Sequence, residues 1–548
     1  MFISIFDSRK TNSKKMRNLI FAIVTICSLS LFGQEKNVDN YSPETLTWQH
    51  KDYKTDKILG IATQRLYNEI LNHTSSKKKI IVAIIDSGVD VEHEDLKDQI
   101  WINKDEIPDN GIDDDKNGYI DDIHGWNFLG NKDGVNINTT TIEMTRYYLT
   151  LRNEIDNNKN ISPEKIEEFK ALEKKFLRRY NDSKTEKKNF GQFRENYLLT
   201  DSILKKYFKT DQLTYSFLKK QTSSDSRIQA SIDYQKDILK KGITYTEVQN
   251  YYQHLKDAAK IYDYYFDPRK EIIGDDLNDI NDDDYGNNDV TGPTAEHGTM
   301  VAGLVAATRN NNIGIDGICN NVSIMVVRAV PNGDEYDKDV ALGIRYAVDN
   351  GANVINMSFG KAYSPNKSMV WDAMRYAASK NVLMIKAAGN DNVNIDNNVH
   401  YPTAFSNKGK IENVITIGAS DQKRNKKMKA VFSNYGQEAV DIFAPGVDIV
   451  SSHPHNTYKK ASGTSFSSPI STGVAALIWS YFPELSAKEL KSILLESAFD
   501  VSKRKVIIAR KGQQKDQKVR FGTLSQTGGI INAYAAYKLA AIRTQATK

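Results

Sequence analysis

The chain has 548 residues, a formal net charge of +5, 40% hydrophobic residues and two cysteines. Such a length holds one large domain with a substantial extra segment, or two or three smaller domains. So small a charge, with no basic stretch carrying interleaved aromatics, excludes a nucleic-acid platform. A disulfide framework is excluded too, because one of the two cysteines, Cys27, falls in a segment expected to be removed.

Lys14, Lys15 and Arg17 precede an apolar run from Leu19 to Phe32, which ends at Gly33-Gln34. Fourteen apolar residues fall short of the roughly 20 that span a bilayer, so residues 1–33 read as a secretory signal peptide. Met16 offers a second start, since Met16 to Gly33 is a complete signal by itself. The competing reading, a membrane-anchoring helix, is disfavoured by length. Export to the periplasm or out of the cell follows, with no stable membrane span once the signal is gone.

Residues 34–79 form a polar N-terminal extension with a predicted helix around Ile61–Leu71. From Ile80 to Ile85 runs a continuous β-rich apolar stretch, as expected of a strand buried on both faces of a parallel sheet. Residues 102–290 read as an insertion. Its stretch 141–266 is dense in Lys, Glu, Asp, Asn and Tyr and has helical spacing. There Ser162-Pro163 supplies a cap and first-turn proline ahead of Ile166, Phe169, Leu172, Phe176 and Tyr180. Thr244 and Glu247 form a capping-box pair ahead of Val248, Tyr251, Leu255, Ala258, Tyr262 and Tyr265. The aromatic stripe reads as the core of a helical bundle, with a binding surface as the alternative.

Strand-like runs return at Val322–Val330, Asn353–Phe359, Val382–Ala388 and Val414–Ala419, alternating with helical patterns at Asp337–Asp349, Lys367–Ser379 and Ser486–Ser497. This alternation predicts an α/β fold, three-layer α/β/α with a mostly parallel sheet, plus the helical insertion. Functional groups in such sheets gather at the carboxyl ends of the strands.

Three short segments carry the chemistry. Asp86 ends the first strand in Ile84-Ile85-Asp86-Ser87-Gly88; His297 opens a small-residue helix in Glu296-His297-Gly298-Thr299-Met300; Ser465 lies in Ser462-Gly463-Thr464-Ser465-Phe466-Ser467-Ser468-Pro469. A serine hydroxyl becomes a nucleophile when an adjacent base takes its proton, which histidine does near neutral pH. A carboxylate behind the imidazole fixes its tautomer. A helix starting at Ser465 would also leave unpaired N–H groups beside the reacting oxygen.

In their order Asp, His, Ser and in the residues around each, these segments resemble the subtilisin-like serine peptidases (subtilases, family S8). The resemblance covers residues 80–101 and 291–541. It implies an exported serine endopeptidase acting on proteins or peptides, with Asp86, His297 and Ser465 as the triad. It further implies that Asn390, in Ala387-Ala388-Gly389-Asn390, donates to the oxyanion. Ser358, Phe359 and Gly360 then pair with an extended substrate, and Tyr401-Pro402 is a cis peptide. A silent subtilisin-fold scaffold, acting through its helical insertion, is the alternative. Two departures stand out: Met300 replaces a common histidine, and 211 positions separate Asp86 from His297. The extension is also short for the folded inhibitory propeptide usual in that family.

The stretch from Asp113 to Asp121 matches EF-hand positions at Asp113, Asp115, Asn117, Gly118, Tyr119 and Asp121, with His124 where the bidentate glutamate belongs. Structural Ca2+ is expected there, a charged surface turn being the alternative. A second acidic stretch, with Asp282, Asp284, Asn287 and Asp289, resembles a calcium segment found before the histidine in some subtilases. His93 and His400 read as structural hydrogen-bonders, and Cys319 as a small buried apolar residue.

Overall fold

The computed structural model describes residues 37–158, 160–508 and 516–546. The signal segment 1–33, with Cys27, lies outside the described residues. The described chain divides into two compact units, one of residues 144–266 and the other of residues 37–143 with 267–546. Both acidic stretches that the sequence placed in the insertion therefore fall within the larger unit.

The larger unit is built on nine strands: β1 (Ile80–Asp86), β2 (Gly125–Asn127), β3 (Val322–Arg328), β4 (Val354–Met357), β5 (Leu383–Ala387), β6 (Val414–Ser420), β7 (Ile442–Pro445), β8 (Phe499–Asp500) and β9 (Gly529–Ile530). They are ordered β8-β9-β7-β6-β5-β4-β1-β3-β2. All neighbouring pairs are parallel except β8 with β9. Side-chain alternation divides β1 between two cores. Val82 and Ile84 face one, with helices α1 (Glu296–Ala306), α4 (Thr464–Tyr481), α5 (Ala487–Glu496) and α6 (Ala533–Ala546). Ala83 and Ile85 face the other, with α2 (Asp337–Asp349) and α3 (Lys367–Ser379). This is a three-layer α/β/α arrangement with a mostly parallel sheet, as the alternating pattern predicts.

Short strands escaped the sequence reading. β2, β8 and β9 have two or three residues each, too few to show a period, and they are held by pairing with longer neighbours. The extension proves more integral than its polarity implied. Trp48, Ile61, Leu66 and Tyr67 join the core that α1 and α4 share. The N–H of Ala533 reaches back to the Ile61 carbonyl at 2.8 Å. His50 is buried with its ring nitrogens against Thr63 Oγ1 (2.8 Å) and the Asp316 carbonyl (3.1 Å), and burial pushes its pKa down to about 3.

In the smaller unit, a helix of 46 residues, Pro163–Phe208, starts at the Ser162 cap and is joined by Ser226–Lys240 and Tyr245–Lys260. The Thr244–Glu247 capping box forms in full. Of the stripe, Leu172, Phe176, Val248 and Leu255 are buried in the core, whereas Tyr265 is 84% exposed. Phe176 stacks on Tyr148 at 4.3 Å, and Phe190, Phe193 and Tyr197, which lie outside the stripe, pack with Val248 and Leu255. Among the described residues no helix is long and apolar enough to cross a membrane.

Candidate active site

The carboxyl ends of three adjacent strands supply one group each. β1 ends at Asp86, β4 runs into Ser358, and β5 leads through Ala388 and Gly389 to Asn390. Helices α1 and α4 then bring His297 and Ser465, each the second residue of its helix.

Asp86 Oδ1 accepts the N–H of Ser87 at 2.7 Å and lies 2.7 Å from His297 Nδ1. A carboxylate only accepts, so Nδ1 carries the proton and Nε2 is left as the acceptor. The pair has a sealed end and an open end: the Asp86 side chain is 1% exposed and that of His297 40%. Burial disfavours the imidazolium, but the charge and hydrogen bond of Asp86 outweigh it, and the His297 pKa is raised. So close an approach depends on Gly298, where a Cβ would fall 2.0 Å from the Gly88 carbonyl oxygen.

Ser465 and Ser358 are tied reciprocally. Ser465 Oγ donates to the Ser358 carbonyl at 2.9 Å, and Ser358 Oγ donates to the Ser465 carbonyl at 2.8 Å. The ring of Phe466, the next residue, lies 5.8 Å from that of His297. Ser465 Oγ thus stands in the same cleft as the imidazole, turned toward Ser358 and not hydrogen-bonded to His297.

Asn390 is held by its oxygen. Oδ1 accepts from Thr464 N (2.9 Å) and Thr464 Oγ1 (3.0 Å), which leaves the exposed amide Nδ2 to donate elsewhere. Thr464 Oγ1 also accepts the Gly389 N–H at 3.1 Å. Behind this loop the buried Asn434 donates to the Ala388 carbonyl (2.9 Å) and accepts from the N–H groups of Asp391 (3.0 Å) and Val393 (3.1 Å). Buried Asn356 donates to Ser358 Oγ at 2.9 Å and accepts from Ser468 (2.8 Å) and Thr472 (3.0 Å) of α4. The anchoring roles of Thr464 and Asn356 were not read from the sequence, and Asn434 was not singled out at all. For Asn356 a signal was present: an amide inside an otherwise apolar strand must have partners. Ser358 and Phe359 are buried beside the cleft, and Tyr401-Pro402 is cis.

The acidic stretches are arranged differently from their spacing. Oxygens of Glu106, Asp113 and Asp115 lie within 4.8 Å of one another, and Glu106 was not in the sequence-derived set. Asn117 caps the turn, its Oδ1 accepting the Tyr119 N–H at 2.8 Å. Asp121 is turned to the N–H groups of Asn110 (3.2 Å) and Gly111 (2.9 Å). The second set goes to separate partners. Asp282 accepts from Asp276 N and Asp284 pairs with Lys132. Asn287 bonds Asn127, Asn131 and Asn136, and Asp289 accepts from Asn136 and Gly292. Cys319 is fully buried, which pushes its thiol up to about 12.

The model of the subtilase family matches residues 77–524. A thermophilic serine proteinase of Bacillus sp. (strain AK1) is 42% identical over 201 residues, covering 36% of this chain and 45% of that protein. Subtilisin DY of Bacillus licheniformis is 37% identical over 205 residues, covering 37% of this chain and 70% of that one. Thermitase of Thermoactinomyces vulgaris is 37% identical over 221 residues, covering 40% and 73%. The chain thus spans a little under half of the first relative's length and about seven tenths of the other two. With the family match running through the strand that ends at Asp86, the helix that carries His297 and the helix that carries Ser465, the chain belongs to the subtilase family, a family of serine peptidases.

Proposed function

We propose that this chain is an exported serine endopeptidase, stabilised by calcium, that hydrolyses peptide bonds through Asp86, His297, Ser465 and Asn390. The observation that carries the reading is the 2.7 Å bond between Asp86 and His297 Nδ1, which aims a basic Nε2 into the cleft where Ser465 starts its helix.

Substrate backbone lies along Ser358–Gly360. Ser465 Oγ swings about its χ1 from the Ser358 carbonyl to His297 Nε2, a tightening expected as a peptide binds. As the oxygen attacks the peptide carbonyl, its proton passes to Nε2, and Asp86 stabilises the imidazolium. The new oxyanion receives the Asn390 amide and the Ser465 N–H, which is unpaired because it opens a helix. His297 then protonates the leaving amine, and water repeats the sequence to free the acyl group.

Export rests on the Lys14–Gln34 pattern. For calcium, Glu106, Asp113 and Asp115 are the residues that would hold the ion. Three carboxylates so close repel one another, and a hard divalent cation relieves that repulsion. Replacing Ser465 by Ala should abolish casein hydrolysis and fluorophosphonate labelling while leaving circular dichroism intact; undiminished hydrolysis would remove Ser465 from the reaction.

A further inference from the structure

Pairing of β4 with its neighbours stops at Met357, so Ser358–Gly360, along which substrate lies, has left the sheet ladder. A segment outside the ladder keeps its shape only if something else holds it. At its start Ser358 is tied to Ser465. Just beyond its end the Lys361 N–H donates to the Tyr401 carbonyl at 3.0 Å, and the Lys361 carbonyl accepts the Tyr401 N–H at 2.9 Å. Between them the His400 ring packs on Gly360, where a Cβ would fall 2.2 Å from Cε1. His400 Nδ1, expected from sequence to hydrogen-bond, is buried without a partner among the described residues.

The Lys361 side chain is 2% exposed, and its ammonium meets Glu143 Oε2 (2.7 Å), Asp337 Oδ1 (2.8 Å) and the Glu335 carbonyl (2.7 Å). Three acceptors match the three donors of an ammonium. Asp337 opens α2 and also accepts from Ser364 Oγ and the Asn366 N–H, each at 2.8 Å. Burial pushes the Glu335 carboxyl up to about 8, so it is protonated at neutral pH, and Glu143 and Asp337 balance the Lys361 charge. Glu143 is the residue at which the larger unit passes the chain to the smaller one, and its N–H donates to Asp334 at 2.8 Å. The root of the insertion and the far end of the substrate segment therefore share one buried ion pair. Removing one member of such a pair leaves the other charge uncompensated, and the segment it held must move.

We propose that Glu143 and Lys361 are positioning residues for substrate: their ion pair fixes the far end of Ser358–Gly360 in the line that an extended peptide needs for pairing. The inference rests on the peptidase reading above, which lays substrate backbone along this segment. It makes the alignment of the cleft depend on the root of the insertion. Neither side chain touches the reacting atoms. Loss of the pair weakens substrates that use the segment and spares reagents that need only Ser465 and His297. A misplacement of about 1 Å in a positioning element can cost about 10²-fold in rate.

The test compares two reagents on the mature protein: dye-labelled casein, which must lie along the segment, and a small fluorophosphonate, which reports Ser465 without any peptide backbone. Lys361→Met should lower kcat/KM for casein by about tenfold or more, while the labelling rate stays within about twofold of wild type. Lys361→Arg, which keeps the charge, should recover most of the loss. Glu143→Gln removes the charge but keeps a hydrogen-bonding group, and should give the same selective loss at about threefold. It answers the question by itself if circular dichroism shows that Lys361→Met does not fold. Equal losses with casein and fluorophosphonate mark the pair as merely structural and overturn the proposal, as does unchanged casein turnover in the folded variants. Labelling of the wild type separates the two failures. Unlabelled wild type defeats the peptidase reading itself, whereas labelled wild type whose folded variants show no selective loss defeats only this inference.

Discussion

At the scale of single residues, the proposed reaction depends on what holds each group. Asp86 is sealed and His297 is open, so the carboxylate acts on the imidazole with little water between them. The raised His297 pKa has a definite sign for activity. The base must be neutral, and it protonates as pH falls through its pKa, so kcat/KM should drop on an acid limb centred above the ordinary imidazole value of about 6.5. Asp86→Asn should move that limb downward, since the group that raises the pKa is gone. A pH–rate profile centred at or below the ordinary value would contradict the arrangement. Asn390→Ala removes the proposed oxyanion donor and should lower kcat by about 10²–10³, a magnitude known from subtilisin, with KM nearly unchanged. A raised KM with kcat unchanged would instead mark Asn390 as a ground-state contact.

Elements matter here through their ends. β1, β4 and β5 are adjacent, so their carboxyl termini deliver Asp86, Ser358 and Asn390 to one edge of the sheet. Helix α5 opens with the Ser486–Glu489 capping box, as its spacing predicts, because such a cap is local chemistry. The extension shows the opposite case. Its composition is polar, yet a few large side chains hold it in the core, and Trp48 is 2% exposed. Trp48→Ala should cost about 3–5 kcal/mol in urea unfolding, as truncation of a buried aromatic does. A change under about 1 kcal/mol would show that the extension contributes little to the fold.

For the whole molecule, no disulfide occurs among the described residues, and stability rests on two extensive cores, one on each face of the sheet, and on the proposed ion. Ligand binding to the native state raises the melting temperature by mass action. EDTA should therefore lower the Tm, and excess calcium should restore it. Glu106→Gln should blunt that response, because it removes one of the three converging carboxylates. A melting curve indifferent to EDTA would remove calcium from the account.

Much of this protein was legible in its residues alone. Long buried strands announce themselves by continuous apolar runs, helices by period and caps, and the three motifs around Asp86, His297 and Ser465 by local sequence. Each of these is a short-range property of the chain. What required the tertiary structure was everything set by long-range partnership. Three-residue strands exist only because a neighbour pairs with them, and Glu106 approaches Asp113 only once the acidic loop has closed on itself. The His400 ring meets Gly360 and Gly389 only in the folded chain. No sequence period encodes such a juxtaposition, because distant segments make it when they pack.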